Sequence, residues 1–186
     1  MEKKPTIHQI KTVASSRLFN VEELSLEFSN GEQRIYERIA SRGVGAVLII
    51  PIMRDKNNEE VMLLIREYAA GTDRYELGFP KGKVEKDEEI LDAANREIME
   101  EVGYESGRLT LLKKLSLAPG YMGHVTSIIL AEELTEHREP GDEPEEIEVV
   151  PWKLSEIHLL IDRDDFAEGR SVAALHLLNH HRNLHA

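Results

Sequence analysis

Three glutamates near the middle of the chain, Glu97, Glu100 and Glu101, are spaced so that they can act on one object. On an α-helix Glu97 and Glu101 project within roughly 40° of each other, and Glu100 flanks Glu97. Unpaired carboxylates this close repel one another and favour a hard divalent cation. Oxygen donors with retained waters suit Mg²⁺, with Mn²⁺ as a substitute, and not zinc.

The surrounding residues predict the helix that carries them. Asp87 is a good N-cap, and Glu88 and Glu89 suit the positive end of a helix dipole. Gly103 stands where a helix stops in the left-handed conformation. Ile90, Leu91, Ala94, Ile98 and Val102 recur at spacings of three and four as one apolar stripe. Arg96 follows Glu88 by two turns, on the side where the two can pair. A bare pair of acids on such a helix is ordinarily solvated surface. The whole pattern says more. Gly82, Glu88, Arg96, Glu97, Ile98, Glu100, Glu101, Gly103 and Tyr104 match Gly-x5-Glu-x7-Arg-Glu-U-x-Glu-Glu-x-Gly-U at all nine specified positions across 23 residues. This is the Nudix box, and the chain resembles a Nudix hydrolase.

The resemblance implies an α+β fold, an α/β/α sandwich on a mixed sheet, that hydrolyses a nucleoside diphosphate linked to another moiety, X. It assigns Glu97, Glu100 and Glu101 to the metal, with Glu101 central to catalysis, and adds the backbone carbonyl of Lys81. It also implies a loop glutamate acting as general base. Within the acidic loop Glu136–Glu146, Glu143 and Glu145 match that position best, and Glu146 stays open. The segments REYAAG and YELGFPKG, with Pro119 in an APGY context fifteen residues past Tyr104, resemble the ADP-ribose pyrophosphatase-like group. That likeness implies ADP-ribose, NADH and diadenosine polyphosphates such as Ap3A as substrates, with AMP released. A nucleotide-sensing module of the same fold is the alternative, but a pure binder has no need of the full acid set. The isoprenoid isomerases of this fold rely on a cysteine, and this chain has none.

The other elements must hold that helix and its loop. Thr6–Val13, Phe19–Phe28 and Gln33–Ile39 read as three antiparallel strands, with Ser29-Asn30-Gly31 as a hairpin turn. Three strands alone are marginal. The resemblance gives this unit, residues 1–42, a role in forming a homodimer and lining the adenosine site, and leaves residues 43–186 as the hydrolase domain. Gly43–Ile52 is a continuous apolar run, as in a strand buried on both faces. Val61–Tyr68, Leu109–Ala118 and His124–Glu133 are further strands, and Ser171–His185 is a closing helix. Among substrate-binding candidates, Glu76 falls near the mouth of the site. Arg66 closes an apolar strand, either as a strand-end ion pair, with Glu67 for partner, or as a phosphate ligand. Arg38 is a weaker candidate that a cross-strand ion pair explains equally well. Pro119 alone is a turn residue; with the box it points to the substrate group.

Composition excludes several classes. At 186 residues, 41% hydrophobic and 31% charged, the chain is an ordinary globular length and mix. The apolar run Val44–Met53 is broken by Pro51 and is too short to span a bilayer, and the first residues carry no secretory apolar core. Zero cysteines fit a reducing cytoplasm. A net charge of −12 repels nucleic acid, whereas a small phosphate ester remains a partner because a bound cation reverses the local field. His176 and His180 lie one turn apart, but no third well-placed ligand supports a zinc site there.

Overall fold

The computed structural model describes residues 3–41, 43–141 and 144–185. The chain divides into two compact units, Met1–Arg42 with Ser116–Val125, and Gly43–Leu115 with Thr126–Ala186.

The first unit is an antiparallel sheet of β1 (Thr6–Ser15), β2 (Asn20–Glu27) and β3 (Gln33–Ile39), in that order. Gly31 takes φ +84° in the β2–β3 turn, where the Asn30 side chain accepts the Glu32 N–H at 3.1 Å. Ala118, Pro119, Gly120 and Tyr121 form a turn closed by the Tyr121 N–H on the Ala118 carbonyl, and Tyr121 in turn accepts the Ile39 N–H. Leu24 is the one fully buried side chain among the described residues of the N-terminal strands.

The second unit is built on a mixed seven-stranded sheet, ordered β10-β5-β4-β9-β8, with β6 on β5 and β7 on β4. The strands are β4 (Ala46–Arg54), β5 (Glu60–Ala69), β6 (Arg74–Gly78), β7 (Lys81–Lys83), β8 (Tyr104–Ser116), β9 (Val125–Glu136) and β10 (Glu148–Lys153). β4 and β9 are parallel, while β5 and β7 meet β4 antiparallel. Pro51, with no N–H to give, sits where one edge of β4 changes partner, from β7 along Ala46–Leu48 to β5 along Ile52–Arg54.

Alternation along β4 explains why the run is apolar throughout. Leu48, Ile50 and Ile52 face one way, with Met62 and Leu64, onto Leu160, Phe166 and the inner side of helix α3 (Gly169–His185). Val47 and Ile49 face the other way, with Ile129 and Ala131, onto Ala93, Ala94 and Ile98 of helix α1 (Ile90–Glu101). The result is the α/β/α sandwich. A short helix α2 (Ile157–Ile161), entered through a single 3₁₀ turn, supplies Leu160. Among the described residues no helix is long and apolar enough to cross a membrane.

Two details of α1 correct the sequence reading. Asp87 is not the N-cap: it lies at φ +65° in the preceding turn, and the helix begins at Ile90 with no side-chain cap. Leu91 leaves the apolar stripe and is exposed, while Glu97 and Glu101 take their place on the buried face. Gly103 ends the helix as expected, at φ +84° with its N–H on the Ile98 carbonyl.

Candidate active site

The acids of α1 stand at the seam between helix and sheet. Glu97 and Glu101 are 8% and 5% exposed, unusual for carboxylates without a bound cation. β7 is the strand that closes over them. Lys81 donates its backbone N–H to Glu101 Oε2 at 3.0 Å, and its ammonium pairs with Glu67 on β5. One residue on, Gly82 lies so close to Glu97 that a Cβ built there would overlap its carboxylate. The box glycine is therefore required by a close approach and not by a turn.

Arg96 organises the exposed side of the cluster. It donates to Glu88 from Nε (2.9 Å) and Nη2 (3.2 Å), to Glu97 and Glu100 from Nη1 (2.9 and 3.1 Å), and to the Lys83 carbonyl from Nη2 (3.0 Å). Glu88 also accepts the Glu85 N–H at 2.7 Å, so the pair fastens the loop before α1 to the helix. The Arg96 guanidinium holds the Glu88 carboxyl below the usual range. Burial has the opposite effect on the inner acids. It raises Glu97 despite Arg96, and pushes Glu101 up to about 8 despite the Lys81 ammonium and N–H.

The donor set suits a hard divalent ion. It consists of oxygens only, two of them on buried acids that hold a charge poorly by themselves, cradled where a Cβ would intrude. Among the described residues no three acidic or imidazole side chains already converge as ligands. The reason is visible: Arg96 Nη1 lies between Glu97 and Glu100, and Glu101 is turned toward Lys81.

The loop after β9 runs beside the acids. A cleft of about 380 Å³ is lined by Glu97, Glu100 and Glu101 together with Arg138, Glu145 and Glu146. The loop is fastened to carbonyls at the end of α1, which no helical N–H reaches. His137 donates its N–H to Gly103 (3.0 Å), Glu139 donates to Met99 (3.2 Å), and Arg138 Nη2 reaches Val102 at 3.5 Å. At its far end Tyr75 of β6 donates its hydroxyl to Glu145 Oε1 at 2.7 Å. Glu145 thus lines the same cleft as the acid cluster; Glu143 lies outside the described residues.

Arg66 donates to Glu148 (3.0 Å) and Asp165 (2.8 Å), an ion pair as one reading had it, but with these partners and not Glu67. Arg38 pairs across the strands with Glu22 at 2.8 Å. Glu76 accepts from Thr72 and Arg74 through Oε1, while its Oε2 is buried and accepts nothing among the described residues. Pro119 belongs to the segment that groups with the N-terminal strands. The sequence reading missed Tyr75 and Arg138. Tyr75 meets Glu145 across 70 positions, which no local pattern can announce. The Arg96–Glu100 bond was legible as an i,i+4 pair.

The fold agrees with comparison to known proteins. The NUDIX domain model matches residues 44–175, and the model of the NudE-type Nudix hydrolase N-terminal domain matches residues 5–38. The chain belongs to the Nudix hydrolase family. It is 48% identical over 175 residues to ADP compounds hydrolase NudE of Escherichia coli (strain K12), covering 94% of this chain and 91% of that one. A crystal structure of an ADP compounds hydrolase superposes with a TM-score of 0.91 at 45% identity, covering 100% of this chain and 98% of that one. ADP-ribose pyrophosphatase of Bacillus subtilis (strain 168) is 27% identical over 175 residues, covering 90% and 91% of the two chains.

Proposed function

We propose that this protein hydrolyses the pyrophosphate linkage of ADP-linked compounds, namely ADP-ribose, NADH and diadenosine polyphosphates such as Ap3A, and releases AMP. The observation that carries the reading is one cleft lined by Glu97, Glu100 and Glu101 of α1 together with Glu145 of the acidic loop. The names of the similar proteins support the ADP half.

Glu97, Glu100 and Glu101, with the Lys81 carbonyl, would hold Mg²⁺, for which Mn²⁺ would substitute, and the bound ion would supply charge neutralisation at the pyrophosphate and a more acidic water. The chain's own residues do the rest. Glu145 or Glu143 takes the proton from that water. Tyr75 holds Glu145 at the cleft through its 2.7 Å hydrogen bond. Gly82 lets Glu97 sit against the strand, and Arg96 with Glu88 keeps α1 and its preceding loop in register. The protein works in the cytoplasm as a homodimer. Support for the dimer is the N-terminal sheet, where Ile7, Ile10, Ile35 and Tyr36 are exposed.

Product analysis in ¹⁸O-labelled water with Mg²⁺ tests this, offering ADP-ribose, NADH, Ap3A and dATP in parallel to the wild type and Glu101→Gln. AMP from the first three but not from dATP is expected. The substitution should lower kcat/KM by on the order of 10³. Tight nucleotide binding without turnover would instead make the protein a sensor.

A further inference from the structure

Next to Glu145 stands a pair of tyrosines whose rings the hydrolytic chemistry does not use. Tyr68 on β5 and Tyr75 on β6 are register partners, with ring centroids 5.7 Å apart and planes at 66°. Both hydroxyls are tied down. Tyr68 donates to Asp73 Oδ1 at 2.6 Å, and Tyr75 donates to Glu145 Oε1 at 2.7 Å. Yet the residues stay 46% and 48% exposed. Rings that serve a core are buried, and rings that merely sit on a surface are not pinned at their tips. A pinned, half-exposed pair is a preorganised stacking platform, because little side-chain freedom remains to be lost on binding.

Its position says what it can receive. Glu145 lines the acidic cleft, so Tyr75 is one hydrogen bond from a residue of that cleft. A planar base joined through ribose to a pyrophosphate in the cleft can lie on a tyrosine face. Stacking accepts any base, since every base has a π-face. We infer that Tyr68 and Tyr75 form the subsite for a planar base carried by the X half of the substrate, as in a dinucleoside polyphosphate or a nicotinamide dinucleotide. The inference rests on the ADP-X reading and extends it: the platform discriminates substrates that carry a second base from ADP-ribose, which has none.

The test compares kcat/KM for Ap3A and ADP-ribose in the wild type, Tyr68→Ala and Tyr68→Phe, with Mg²⁺ present. Tyr68→Ala should lower the Ap3A to ADP-ribose ratio by about tenfold, the loss expected for one base–aromatic stack, and the change should fall in KM. Tyr68→Phe keeps the ring and should restore the ratio. A second readout does not need turnover. Nicotinamide mononucleotide, a base without adenosine, should shift the ring resonances of Tyr68 and Tyr75 in NMR spectra of the wild type. An unchanged ratio in Tyr68→Ala, equal losses on both substrates, or ring resonances unmoved by the mononucleotide would each overturn the inference. Should the wild type cleave no ADP compound, the ADP-X reading fails, and the mononucleotide titration still decides whether the platform binds a base.

Discussion

The two units of this chain are built to different standards. In the second, β4 buries side chains on both faces, and α1 and α3 each find a packed surface. In the first, three strands of similar length enclose Leu24 and leave Ile7, Ile10, Ile35 and Tyr36 in solvent. The difference shows where precision is needed. Acids that must be aimed within fractions of an ångström stand on a helix whose other side is locked into a core. A sheet with one buried side chain fixes its own hydrogen bonds and little else.

The sharpest way to break that contrast is to truncate one apolar side chain in each unit. Ile98→Ala should cost about 3 kcal/mol in urea unfolding, because the side chain is fully buried between α1 and the sheet. Ile35→Ala, at 68% exposed, should cost less than about 0.5 kcal/mol at low protein concentration. A large, concentration-dependent cost at Ile35 would mean that the first unit is completed by a second copy.

Acidity sharpens the contrast next. The folded Glu101 carboxyl titrates near 8 against an ordinary 4.5, so between those values the native state holds a proton the unfolded chain has released. Metal-free protein should therefore lose stability as pH rises from about 5 to 8, with Glu97 acting in the same direction. Glu88 and Asp165 are shifted downward, and their contributions fade only on acidification below the ordinary carboxylate range. Urea midpoints at pH 5, 6.5 and 8 in a chelator check the slope. Glu101→Gln should flatten it, and saturating Mg²⁺ should reduce it.

Two smaller effects complete the series. Gly82→Ala should keep the fold and lower kcat/KM on the order of tenfold to a hundredfold, because the new methyl displaces the Glu97 carboxylate. Arg38→Ala removes a partly exposed cross-strand pair and should cost less than about 1 kcal/mol. A hundredfold rise in KM from that change would instead give Arg38 a substrate.

Much of the second unit was legible because its signals are local. The box residues Arg96, Glu97, Ile98, Glu100 and Glu101 share one helix, and the continuous apolar run in β4 declares burial on both faces. The errors near α1 are also local, with competing uses of the same groups. Glu88 is bound to Arg96 and the Glu85 N–H, so the turn before the helix winds through a left-handed Asp87 and no side chain caps Ile90. Burial of Glu97 and Glu101 in place of Leu91 follows from β7 crossing over that face, which no helical periodicity contains. The clasp of Tyr75 on Glu145 and the ion pairs of Arg66 join residues 70 to 99 positions apart. Such contacts exist only once the sheet has assembled.

The N–H of Lys81 belongs to a strand yet points its hydrogen at a side chain whose charge is variable. Most sheet amides exchange with solvent at a rate set by unfolding alone. This one should also feel any event that turns Glu101 away, since its acceptor would leave while the strand stayed in place. Deuterium uptake at a single backbone position would then follow the occupancy of the acid cluster. The sheet carries its own gauge of the site, readable without substrate and without turnover.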